Sequence, residues 1–146
     1  MNMVQVYIKG QEDKELSSFL RYYPVRIKNI GMDAFFDRQV VYDFKDDRNH
    51  ADVVKCVAKM LIKVVGERTA VHGTKVKKDE REKRLKEKNN IEVDANFFKN
   101  KIVCIWDDVV TTGTSFCAYT AQLERVGAHV TNGIFLGKTS YKYVQQ

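Results

Sequence analysis

Apolar and polar side chains alternate through "MVQVYI" (residues 3–8), a period of two that predicts a strand, with Gly10 closing it. The next segment, "EDKELSSFLRYY" (12–23), has three-and-four spacing with acids in its first turn. It predicts a helix that stops before Pro24. "DRQVVYDF" (37–44) reads as a second short strand and "KDDRNH" (45–50) as a turn. From His50 to Val65 the apolar positions Val53, Val54, Val57, Met60, Leu61, Val64 and Val65 form one broad stripe. That stripe predicts an amphipathic helix capped by Asn49 and ended by Gly66.

The pattern then breaks. In "HGTKVKKDEREKRLKEKNN" (72–90) apolar residues almost vanish, and between Lys75 and Lys88 eight basic residues face four acidic ones. In isolation such a run is a solvated helix or loop held by Glu/Lys pairs, and its place in the chain has to decide whether it does more. "KIVCIW" (101–106) is a continuous apolar run suited to a parallel strand buried on both faces. "TSFCAYTAQLERVGA" (114–128) carries Phe116, Tyr119, Leu123 and Val126 at helical spacing, with Gly127 at its end. "HVTNGIFLG" (129–137) returns as a strand. Strand, helix and strand over residues 101–137 form a βαβ unit, so the fold class predicted is α/β: an open, mainly parallel sheet flanked by helices, in one domain over 1–146.

Composition narrows the picture little. A hydrophobic share of 44 % against 30 % charged is that of an ordinary globular chain. The formal net charge of +6 admits an anionic partner, with nucleic acid, a phosphorylated small molecule and an acidic protein all open. The three cysteines, Cys56, Cys104 and Cys117, lie in apolar segments without metal-ligand spacing and read as small buried hydrophobes. His50, His72 and His129 share no spacing suited to a metal, so no protein metal site is expected. The apolar run at the N-terminus is too short for a signal peptide and no stretch is long enough to span a membrane, which leads to the expectation of a cytoplasmic protein.

One stretch carries chemistry. "WDDVVTTGTS" (106–115) sets two adjacent carboxylates and a hydroxyl-rich, glycine-containing turn between the strand and the helix. Unpaired buried charge is costly, so Asp107 and Asp108 are expected exposed at the strand's end. Ligands of open α/β sheets bind there. The helix N-terminus, Gly113 and the hydroxyls of Thr111, Thr112, Thr114 and Ser115 suit a phosphate. Carboxylates accept hydrogen bonds without donating, so the acid pair suits vicinal hydroxyls, and a pentose 5-phosphate satisfies both halves. "NGIFLGKTS" approaches a Walker loop, but Asn132 stands where glycine is needed. Trp106 is expected in the core.

This stretch resembles the phosphoribosyl-diphosphate (PRPP) motif of type I phosphoribosyltransferases and matches it without a gap. The resemblance implies that Asp107 and Asp108 are the catalytic carboxylates, holding the ribose 2- and 3-hydroxyls, while residues 111–115 cradle the 5-phosphate. The order of "RNHADVVKCVAKMLIKVVGE", the basic run, the motif strand and "LERVGAHV" is similar to the ComF-like branch. By that analogy Lys75, Lys77, Lys78 and Arg81 lie on a flap over the diphosphate. "YIKGQ" (7–11) resembles the Lys-Gly form of the family's diphosphate loop, with Lys9 and Gly10 as the candidates; an ordinary strand end explains it as well. The family implies Mg²⁺ bound through the diphosphate, a small hood that selects the acceptor (here residues 11–45), and a homodimer. In the purine-salvage branch an aspartate general base occupies the position of Thr111, which shifts the expected acceptor away from purines. The alternative is a PRPP-binding regulator or interaction protein without turnover. Nucleic-acid binding is disfavoured because it leaves the paired acids unexplained.

Overall fold

The computed structural model describes residues 3–46, 50–66 and 93–144. In chain order its elements are β1 (Val4–Gln5), β2 (Glu15–Tyr22), α1 (Met32–Lys45), α2 (His50–Val65), α3 (Ala95–Phe98), β3 (Ile102–Val110), α4 (Thr114–Arg125) and β4 (His129–Thr139). They form a four-stranded sheet in the order β1-β2-β4-β3. β2, β4 and β3 are mutually parallel and the two-residue β1 is antiparallel to β2, so the architecture is α/β with an open, mixed sheet. The βαβ unit predicted over 101–137 is present as β3, α4 and β4, with β3 and β4 direct neighbours.

β4 occupies the middle because both its faces are apolar. Val130 and Phe135 join Val6, Ile8, Leu16, Val110, Phe116 and Leu123 in one buried cluster, beneath α4. Ile134 and Leu136 join Phe19, Val41 and Val57 in a second, beneath α1 and α2. Full burial of each such side chain contributes about 1.5–3 kcal/mol, so β4 anchors both layers. Gly133 allows the first layer to close. A Cβ there would lie 2.6 Å from Phe116 Cε2 and 2.8 Å from Leu16 Cδ2.

Two assignments made from the pattern are reversed. Residues 15–22, expected in a helix, are β2, because a strand covered on both faces loses its period-two signature and Leu16, Phe19 and Leu20 then mimic helical spacing. Residues 37–44, expected in a strand, lie in α1, where Val40, Val41 and Phe44 pack towards the sheet and Gln39 Nε2 donates to Asp43 Oδ1 at 2.8 Å, one turn on. The hood expected from residues 11–45 is therefore largely sheet strand and packed helix. α2 runs as predicted to Gly66, while Asn49 lies outside the described residues. Trp106 is in the core, 6.2 Å from the rings of Phe19 and Phe44. Cys56 is exposed rather than buried, and Cys104 and Cys117 are half-buried. Among the described residues no helix is long and apolar enough to cross a membrane.

Candidate functional site

β3 does not stop at Trp106. Val109 and Val110 still pair with Gly137 and Lys138, so Asp107 and Asp108 lie within the strand. Both are half-buried, which corrects the expectation of an exposed pair. Each carboxylate folds back onto its own strand: Asp107 Oδ1 accepts the Asp108 N–H at 2.8 Å, and Asp108 Oδ1 accepts the Val109 N–H at 2.7 Å. Beyond the strand the chain turns through residues 111–113 into α4. Thr111 Oγ1 lies 2.8 Å from Thr139 Oγ1, which ties the turn to the end of β4, and Thr112 Oγ1 lies 2.9 Å from Thr114 Oγ1.

Gly113 is the N-cap of α4 in the left-handed conformation, φ 87°. It brings no side chain to cap the helix, so the first N–H groups of α4 point outwards with the positive end of the helix dipole behind them. A Cβ at this position would also sit 2.7 Å from the Ile8 side chain. The segment between β1 and β2 thus supports the turn from below.

These parts enclose a cavity of about 140 Å³ lined by Asp107, residues 109–116 and Phe135. Small-molecule sites commonly measure roughly 300–1,000 Å³, so this one is small, with a volume suited to a group of phosphoryl size and a few atoms more. A wider depression of about 480 Å³ opens at the other end of β4, lined by Asp13, Glu124 and residues 127–131. Its two carboxylates are already paired with Lys14, at 3.3 and 3.2 Å, and it has no hydroxyl-rich turn. The hydroxyl-rich turn and the half-buried Asp107 meet at the smaller cavity.

The acids divide. Asp107 lines the cavity, whereas Asp108 does not, and its Oδ2 lies 3.8 Å from Lys45 Nζ at the end of α1. Desolvation pushes the Asp107 carboxyl up to about 6; the Asp108 N–H opposes this, the Asp108 charge adds to it, and Lys45 draws it down. When protonated, Asp107 donates a hydrogen bond as well as accepting them.

Of the residues named from the sequence, Asp107, Thr111, Thr112, Gly113, Thr114 and Ser115 meet around one cavity. Lys9 and Gly10 are exposed and follow Ile8, which places their turn beside the cavity's support. The Gly10 N–H, however, donates to Glu12 Oε1 at 3.1 Å, an oxygen that also accepts Tyr7 Oη at 3.0 Å. The amide required of a diphosphate loop is engaged. Lys75, Lys77, Lys78 and Arg81 lie outside the described residues. Ile8, Lys45 and Thr139 were not foreseen, since each reaches the site through a contact distant in sequence.

Protein-family models, curated proteins and solved structures offer no match to this chain. Among the described residues no three His, Cys, Asp or Glu side chains gather as a metal site.

Proposed function

We propose that the chain is a phosphoribosyltransferase-like protein that binds PRPP with Mg²⁺ and transfers its phosphoribosyl group to an acceptor. The observation that carries this reading is the enclosure of Asp107 and residues 111–115 in one cavity at the carboxyl end of parallel strands. In this reading the 5-phosphate takes the N–H groups and hydroxyls of the Thr111–Ser115 turn, and the ribose hydroxyls donate to Asp107 and, from outside the cavity, to Asp108. Carboxylate oxygens are suitable ligands for Mg²⁺, which is commonly held by one or two carboxylates together with substrate phosphates and neutralises charge on a departing diphosphate. The negative charge of Asp107 and Asp108 would stabilise the positive charge that develops on the sugar as the bond to diphosphate breaks. Thr111 is no base here, because an alcohol hydroxyl does not take up a proton at neutral pH, which keeps purines disfavoured as acceptors; its Oγ1 is instead paired with Thr139.

A second reading, PRPP binding without turnover, is favoured by the engaged Gly10 N–H. Calorimetric titration of PRPP with Mg²⁺, beside the protein's assay with candidate acceptors, separates the two. Binding by the wild type and its loss in Asp107→Asn/Asp108→Asn, with the circular dichroism spectrum retained, is the expected result. Undiminished binding by the double variant would remove the site assignment.

A further inference from the structure

β3 is an edge strand with the composition of an interior one. Among the described residues it pairs with β4 alone, and residues 102–106 are apolar throughout, with no proline or charge to blunt the open side. Val103 and Ile105 pack on the cluster beneath α4, Cys104 and Trp106 on the cluster beneath α1 and α2. All four stay half-buried, whereas residues 133–137 of the neighbouring β4 are fully buried, and Ile102 is 71 % exposed. The opposite edge of the sheet is blunted by its length, since β1 has only two residues. A strand apolar on both faces is finished by a further strand at its side.

The charges that flank the run indicate which strand. Lys99 and Lys101 precede it, and Asp107 and Asp108 follow it. Lys101 is exposed and has no acidic partner among the described residues; its Nζ lies 4.9 Å from the centroid of the Phe97 ring. Laid antiparallel against a copy of itself, such a strand sets bases against acids at both ends, whereas laid parallel it sets like against like. We infer that β3 pairs antiparallel with β3 of a second copy of this chain, about a two-fold axis at Cys104, so that one sheet runs through both copies. That axis stands perpendicular to the sheet and brings side chains of the same face opposite each other. Asp107 then faces Lys101 of the partner subunit, Ile105 faces the partner's Val103, and Trp106 covers the partner's Ile102. An axis at Val103 would set Lys101 against an isoleucine, and one at Ile105 would set Asp107 against a valine. The contact closes at two copies, because each uses its one long edge and β1 offers too little to a third. The pairing is independent of what the turn into α4 binds.

The test is sedimentation velocity of the full chain over a concentration series, together with a short bismaleimide applied to Cys56→Ser/Cys117→Ser, in which Cys104 is the remaining thiol. The expected result is a dimer with no larger species. It should be linked covalently through Cys104, since directly opposed residues have Cβ atoms about 5 Å apart. Lys101→Glu should weaken the dimer about tenfold or more, because the axis then places two like-charged pairs where two opposite ones stood. Lys101 is exposed, so the circular dichroism spectrum of this variant should match the wild type. A chain that sediments as a monomer throughout leaves the edge to some other occupant and overturns the pairing. A dimer left unlinked at Cys104, or unweakened by Lys101→Glu, has another interface or register and overturns it as well. Species that keep growing with concentration would overturn the two-fold closure.

Discussion

Asp107 couples the site to pH. Its carboxyl titrates near 6 in the folded chain because burial disfavours the charged form, and near 3.9 when unfolded. Between those values the folded state holds the extra proton. Stability from this group is therefore complete below about pH 4 and is lost as pH rises through 6. Because the side chain is only half-buried, solvent screening reduces the effect to about 1–2 kcal/mol. Asp107→Asn should then be more stable than the wild type at pH 7.5 and level with it at pH 4. Urea denaturation at both values checks this. An equal difference at the two would show that Asp107 ionises in the fold as it does in water.

At the scale of the element, the turn into α4 depends on one residue without a side chain. Gly113→Ala adds a methyl group 2.7 Å from Ile8 and forces a left-handed conformation that costs a non-glycine residue about 1–2 kcal/mol. The expected loss is about 2–4 kcal/mol once overpacking is included, together with lost affinity for ribose 5-phosphate. Thermal unfolding and titration measure both. Adding Ile8→Ala should relieve the clash and leave the conformational strain; full recovery of stability would place the whole effect in packing. This turn was legible because its chemistry is contiguous: paired acids, spacer, hydroxyls and glycine adjoin in the chain. The length of β3 was not, since the apolar run ends at Trp106 and only pairing with Gly137 and Lys138 carries the strand past the acids. β2 was hidden by burial on both faces. α1 did carry helix signals, Asp33 in its first turn and Lys45 in its last, but the β-branched Val40 and Val41 outweighed them on propensity, and packing against the sheet overrides propensity.

For the molecule as a whole, order should decrease outwards from β4. Residues 133–137 are buried without a break, both apolar clusters converge on Ile134, Phe135 and Leu136, and β4 is paired along both edges. β1 is held by two residue pairs, Val4 with Ser18 and Gln5 with Ser17, and the turn after it is largely exposed. Native-state hydrogen exchange should accordingly show the amides of 133–137 opening only with global unfolding, at the free energy found from urea. Those of 4–12 should open at a lower one. The division bears on the site, because Phe135 and Thr139 belong to the rigid strand while Ile8 belongs to the segment that opens more readily. A sugar phosphate that docks on the turn should therefore slow exchange at Gln11, whose N–H donates to Ile8 at 3.0 Å, more than at 133–137. If β1 and β4 exchange at the same free energy, the chain opens as one unit and Ile8 is as fixed as the strand it faces.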